Sequence, residues 1–159
     1  MKRILIFGNS GSGKSTLATK LAAENQLAHL DLDTVAWQAT KPVTRMPIDE
    51  SKALLDDFTA QNRNWVIEGC YADLLELLTP MASEMIFMNL PVEACIANAK
   101  ARPWEPHKYE SKAAQDANLE MLIDWIAQYT ERDDTFSQRA HQQLFEAFDC
   151  EKLMLTKNS

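Results

Sequence analysis

Ile4-Leu5-Ile6-Phe7-Gly8-Asn9-Ser10-Gly11-Ser12-Gly13-Lys14-Ser15-Thr16 is the stretch that decides the fold. Its four leading apolar residues show no polar alternation, as in a strand covered on both faces of a sheet. Gly8 to Ser15 then satisfies G-x-x-x-x-G-K-[ST], the phosphate-binding loop. Leu17, Ala18, Leu21 and Ala22 follow at the i, i+1, i+4, i+5 spacing of a helix laid on a sheet. Strand, glycine-rich loop and helix stand in the order that gives the motif its structural meaning.

The residue types follow from the chemistry of a polyphosphate. Successive backbone N–H groups and the positive end of the following helix dipole hold several negative charges without covalent bonds. Gly8, Gly11 and Gly13 permit φ > 0 and close backbone approach. Lys14 is placed to reach the β- and γ-phosphates of ATP, and the Ser15 hydroxyl to ligate the bridging Mg²⁺. Gly8 to Thr16 is therefore the expected nucleotide-binding segment, with ATP and Mg²⁺ as expected cofactors.

Further along, Ala28-His29-Leu30-Asp31-Leu32-Asp33 reads as a second strand, in which Asp31 and Asp33 share one side. Trp37 and a Pro-bounded segment, Lys41 to Pro47, precede a helix carrying Ala53, Leu54, Leu55 and Phe58. Trp65 to Gly69 is a third strand, Tyr71 to Leu78 a short helix, Met85 to Leu90 a fourth strand and Val92 to Arg102 a helix. Arg102-Pro103-Trp104-Glu105-Pro106-His107-Lys108-Tyr109 has no element period and reads as a loop. A long helix is expected from about Lys112 to Tyr129. Leu119, Leu122, Ile123 and Ile126 form its apolar stripe. Met121, Trp125 and Tyr129 form a second one that either packs in the core or lines an acceptor pocket. A helix from Ser137 to Phe148 and a strand from Lys152 to Leu155 end the chain.

Strands alternating with helices give an α/β fold with a three-layer, doubly wound parallel sheet, and ligands bind at the carboxyl ends of its strands. The chain, 159 residues and 46% hydrophobic, fits one domain over 1–159 with a short lid at about 102–112. The net charge of −7 argues against a general nucleic-acid surface. No apolar run approaches the roughly 20 residues of a membrane span, and the run after Met1-Lys2-Arg3 is too short for a signal sequence. Cys70, Cys95 and Cys150 lack metal-type spacing and read as free thiols in a reducing cytosol. A cytoplasmic protein is expected.

The strand ends place Gly8 to Ser15, Asp31, Asp33, Glu68 and Gly69 on one rim. Mg²⁺ takes few protein carboxylates and keeps waters, so Ser15 with Asp31 or Glu68 forms the expected metal shell. Asp33 is assigned to the acceptor hydroxyl, to orient or deprotonate it. Trp37, Glu68 and Gly69 join it on the acceptor side, Trp37 and Trp104 either stacking on the acceptor or filling the core. Arg102, Arg132 and Arg139 are candidates for phosphoryl oxygens, the last two seven apart on one helical face. His107 and His141 read as surface residues.

The P-loop, Asp31-Leu32-Asp33 and Ile67-Glu68-Gly69, in this order of elements, resemble the adenylate kinase/shikimate kinase group of small P-loop kinases. Within it the chain is similar to the bacterial adenylate kinase-like proteins labelled "topology modulation" proteins. The resemblance implies a P-loop nucleoside triphosphate hydrolase fold with a five-stranded sheet in the order 2-3-1-4-5, and an acceptor bound between the second strand and the helix after it. The Asp-x-Asp of shikimate kinases matches Asp31 and Asp33, which puts acceptor binding on Asp33. The expected function is transfer of the γ-phosphoryl group of ATP to the hydroxyl or phosphate of a small molecule. Asn89 replaces an acid at the end of the fourth strand, and the lid carries one arginine, Arg102. Those departures support the alternative, an ATP-binding regulator that hydrolyses slowly and acts through a partner. A GTPase ranks third, because no Asn-Lys-x-Asp guanine-reading segment precedes the last helix and Thr156-Lys157-Asn158-Ser159 does not fit that pattern. The sequence leaves oligomeric state open.

Overall fold

Strand β1 (Arg3–Gly8) runs through the centre of the sheet, and its side chains divide strictly by parity. The computed structural model describes residues 1–40, 43–149 and 151–158. After β1 come α1 (Lys14–Asn25), β2 (Ala28–Asp31), α2 (Asp33–Ala36), β3 (Trp37–Gln38), β4 (Thr44–Arg45), α3 (Ile48–Gln61), β5 (Trp65–Gly69) and α4 (Ala72–Leu78). Then follow β6 (Glu84–Met88), α5 (Val92–Ala101), α6 (Lys112–Ala127), α7 (Gln138–Ala147) and β7 (Glu151–Leu155).

Five parallel strands pair in the order β2-β5-β1-β6-β7. Counted along the chain, these sheet strands stand 2-3-1-4-5, the order implied by the resemblance to adenylate and shikimate kinases. Ile4 and Ile6 pack with Ala18, Cys95, Ala99 and Ile126 from α1, α5 and α6. Leu5 and Phe7 face the opposite layer, with Leu55, Leu74, Leu75 and Leu144 from α3, α4 and α7. A two-residue period on a central strand therefore feeds two cores, and the sheet is sandwiched between helical layers. Truncating Ile4, Leu5, Ile6, Leu74, Leu75 or Ile126, all fully buried, to alanine should cost about 2–5 kcal/mol.

Several elements differ from the sequence expectation. β2 stops at Asp31, and Asp33 opens the one-turn α2 instead of ending the strand. An Asx turn causes the break: the Asp33 N–H donates to Asp31 Oδ1 at 2.9 Å, a local bond that competes with the ladder. A small antiparallel ribbon, β3 with β4, follows and was not foreseen from two-residue strands. Met121, placed in an apolar stripe, is 71% exposed, whereas Tyr129 of the same stripe is buried. Lys41, Pro42, Cys150 and Ser159 lie outside the described residues; Cys70 and Cys95 are free thiols. Among the described residues no helix is long and apolar enough to cross a membrane.

Candidate functional site

The loop between β1 and α1 takes the shape of an anion cradle. Gly8, Gly11 and Gly13 all have positive φ. A Cβ on Gly11 (φ +79) would lie 2.5 Å from the Cys95 carbonyl oxygen, and one on Gly8 would run into the carbonyl of Met88. The loop is thus held against α5 and β6 at spacings that only glycine tolerates. Gly13 occupies the N-cap of α1 without any side-chain cap, so the first N–H groups of that helix stay directed at the loop. Lys14 Nζ donates to the Asn9 carbonyl at 2.7 Å. Asn9 is buried and donates through Nδ2 to the Ile126 carbonyl at 3.2 Å, which ties the loop to α6.

Parallel pairing brings the acids to the cradle. In register, Asp31 of β2 stands beside Glu68 of β5, and Glu68 beside Ile6 of β1. Glu68 is 2% exposed. Its Oε2 accepts from Ser15 Oγ at 2.8 Å and lies 3.0 Å from His29 Nε2. Burial pushes its pKa up, but the bonds from His29 and Ser15 and the charge of Lys14 outweigh it, so Glu68 titrates below the usual glutamate value. His29 titrates above its ordinary value, chiefly through the Glu68 bond and against the effect of burial. Asp31 is raised to about 6, first by burial and then by the adjacent charges of Glu68 and Asp33. Such crowding of carboxylates beside a serine hydroxyl marks a place where a cation lowers the energy.

A cavity of about 390 Å³ joins these groups, with Lys14, Ser15, Asp31, Asp33, Glu68 and Gly69 in its wall. Trp37, Tyr71, Tyr109, Trp125 and Phe136 also line it, together with Arg102 and Lys108 from the loop after α5. Tyr71 donates its hydroxyl hydrogen to Asp33 Oδ1 and accepts from Trp37 Nε1, the latter at 2.7 Å. A larger cavity of about 670 Å³ opens on the other side of the loop, bounded by Gly13, Thr16, Arg102 and the chain after β7. There Asn158 donates to the Ser12 carbonyl at 3.1 Å, and Asn98 donates to the Gly11 carbonyl and Asn158 Oδ1, each at 2.8 Å.

The three candidate arginines are not brought together. Arg102 lines both cavities and pairs with Glu105 at 3.3 Å. Arg132 lies between α6 and α7, donating to the Trp125 carbonyl at 2.7 Å with its guanidinium carbon 3.7 Å from the Trp125 ring centroid. Arg139 is exposed on α7 and lines none of these cavities. Arg132 and Arg139 therefore share no helical face, because the helix ends at Ala127 and restarts at Gln138. Trp104 is exposed, with Nε1 donating to the Tyr109 carbonyl at 3.1 Å.

His141 corrects its surface assignment: it is fully buried under the sheet beside Phe7 and Phe87. The Cys70 carbonyl can only accept, so His141 Nε2 carries the hydrogen, at 2.8 Å. Nδ1 then accepts from the Tyr129 hydroxyl at 2.7 Å. Burial, opposed by the Cys70 bond and assisted by Lys14 and Arg132, lowers His141 to about 4.

Tyr71, His29, Lys108 and Asn158 were missed as site residues. Tyr71 had one signal, its position two residues beyond Gly69 on the rim; His29 had one too, two residues before Asp31 on the same strand side. Asn158 had none, since its role comes from a contact across 146 positions.

Comparison with known proteins places this geometry in context. A family model described as an AAA domain matches residues 4–121. Uncharacterized protein YqaC of Bacillus subtilis (strain 168) is 25% identical over 130 residues, which cover 80% of this chain and 72% of that protein. Among solved structures, shikimate kinase from Bacteroides thetaiotaomicron superposes with a TM-score of 0.48 at 18% identity, covering 91% of this chain and 97% of that one. Shikimate kinase from Acinetobacter baumannii in complex with shikimate gives 0.46 at 18% identity, covering 92% of each chain.

Proposed function

We propose, on the premise that the chain belongs to the AAA domain family and has the sheet order of the small P-loop kinases, that it transfers the γ-phosphoryl group of ATP to a small-molecule alcohol. One observation carries the reading: phosphate-cradle residues and strand-end carboxylates converge on one cavity, with Ser15 bonded to Glu68 at its floor.

Mg²⁺ fits the donor set. Among the described residues no cluster of three or more His, Cys, Asp or Glu forms a protein cage, and Mg²⁺ needs none, since it is held by one or two oxygens, waters and substrate phosphates. Ser15 Oγ would ligate it, with Glu68 and Asp31 holding its waters; bound there, it neutralises charge on the phosphates. Lys14 exchanges the Asn9 carbonyl for phosphate oxygens, and the N–H groups of Gly11 to Ser15 bind the rest. Asp33, oriented by Tyr71, accepts the hydrogen bond of the acceptor hydroxyl. As the acceptor oxygen bonds to the γ-phosphorus, the bond to the β-bridging oxygen breaks and the hydroxyl proton passes to Asp33. Segment 102–112 acts as the lid, with Arg102 leaving Glu105 for the transferring group. The larger cavity beyond Gly13 suits the nucleoside end of ATP, walled on one side by Thr156, Lys157 and Asn158.

A labelled-phosphate assay with Mg-ATP across alcohols, sugars and nucleotides tests the reading, and transfer is expected. Asp33→Asn should remove transfer while leaving ATP bound; an active variant excludes Asp33 from its role. The pairing of Arg102 with Glu105 and of Arg132 with Trp125 and Asp134 supports a second reading, an ATP-binding regulator with slow hydrolysis. Bound ATP with transfer to nothing selects it.

A further inference from the structure

The acceptor side of the 390 Å³ cavity is walled by rings in continuous contact. Trp37 meets Tyr71 edge-on at 6.3 Å between centroids, Tyr71 meets Phe136 at 5.3 Å, and Phe136 meets Trp125 at 5.4 Å. Each is stiff, so a flat ligand stacks here with little loss of side-chain freedom.

The charges nearby are already spoken for. Arg45 pairs with Asp73 at 3.0 Å and sits 5.0 Å from the Tyr71 centroid and 5.8 Å from that of Phe136. Arg132 lies against Trp125 in the same way, 3.6 Å from Asp134. Neither guanidinium lines the cavity. The cations that do are Lys14, committed to the polyphosphate, and Arg102 and Lys108, both paired with Glu105 at 3.3 and 3.6 Å. Against them stand Asp31, Asp33 and Glu68. An anionic acceptor would meet carboxylates with no cation to spare. A cationic acceptor would compete for ring quadrupoles on which two guanidiniums already draw. A neutral ring meets neither penalty, and Asp33, held by Tyr71, provides the acceptor for its hydroxyl.

We propose that this site takes an uncharged alcohol carried on an aromatic or heteroaromatic ring, a class that includes nucleosides; the proposal rests on the kinase reading above. The competing occupant is an alcohol bearing a carboxylate or phosphate, which would have to draw Arg102 or Lys108 away from Glu105.

The test uses the full chain with Mg-ATP and five probe classes: nucleosides and hydroxymethylpyridines, nucleoside monophosphates, shikimate, aliphatic polyols, and choline. Phosphoryl transfer is measured first, and tryptophan quenching with a non-hydrolysable ATP analogue second. Ring alcohols should exceed every other class in kcat/KM by about 10-fold or more, the scale of one aromatic stacking contact. Trp37→Leu should raise the acceptor KM by a similar factor with little change in kcat, and Trp37→Phe should restore most of it; Trp37 is partly exposed, so both variants should fold. Equal or better turnover of an anionic, aliphatic or cationic probe overturns the proposal. Quenching by ring alcohols without transfer, lost in Trp37→Leu, preserves the pocket assignment and removes the kinase. Bound ATP with no quenching and no transfer for any ring alcohol overturns the proposal.

Discussion

Acidification should destabilise this protein through one buried imidazole, and the size of the effect follows from the structure. His141 accepts from Tyr129 at Nδ1, donates to the Cys70 carbonyl at Nε2 and has no exposed surface. A second proton must go on Nδ1, where it forces the Tyr129 hydroxyl to turn from donor to acceptor and leaves a charge buried between rings. Its ordinary value of 6.5 falls to about 4 in the folded protein. Between those values the unfolded chain holds more protons than the folded one, so stability rises with pH across the window and is lost as pH falls through it. From about pH 7.5 to about pH 5, the two values give a loss of about 2 kcal/mol from this group. Asp31, raised to about 6, acts in the opposite sense, since the folded state then binds the extra proton below that pH. A comparison of variants separates the two. Glutamine can donate to Cys70 and accept from Tyr129 without titrating, so His141→Gln keeps both bonds. Urea unfolding of wild type and His141→Gln at both pH values is the assay. The variant should lose about 2 kcal/mol less on acidification, with Asp31 cancelling in the difference. Equal losses, or an imidazole resonance titrating above pH 6 in the folded protein, would refute the reasoning.

Lys14→Ala should weaken Mg-ATP binding about 10- to 100-fold by removing a charge-assisted bond, with unchanged thermal unfolding of the free protein; calorimetry measures the first and a melt the second. Gly11→Ala should abolish nucleotide binding, because its Cβ meets the Cys95 carbonyl at 2.5 Å and its φ is +79; an unchanged affinity removes the cradle geometry. Tyr71→Phe leaves Asp33 and Trp37 Nε1 without their shared partner, and should lower kcat/KM about 10- to 100-fold with ATP affinity retained. Gln26 closes α1 at φ 54, the one non-glycine residue of positive φ among those described. Gln26→Gly should therefore stabilise the fold by about 0.5–1 kcal/mol in urea titrations.

Residues that act through their neighbours in the chain were legible from the start. The apolar run Ile4 to Phe7, the glycine spacing and Lys14-Ser15 specify strand, cradle and helix, because each obeys a local rule of backbone freedom or periodicity. The alternation of strands and helices likewise specified a parallel α/β sheet and the rim on which Asp31, Asp33 and Glu68 meet. Tertiary structure decided the rest. Asp31 met Glu68 only through the pairing of β2 with β5. His141 resembles a surface residue in sequence because what buries it, Phe7, Phe87, Tyr129 and the Cys70 carbonyl, comes from four other segments. The arginines make the same point: a spacing of seven implies one face only if a helix spans it, and between Ala127 and Gln138 none does. Local chemistry is written in consecutive residues, whereas burial and charge pairing belong to contacts that exist only once the sheet has closed.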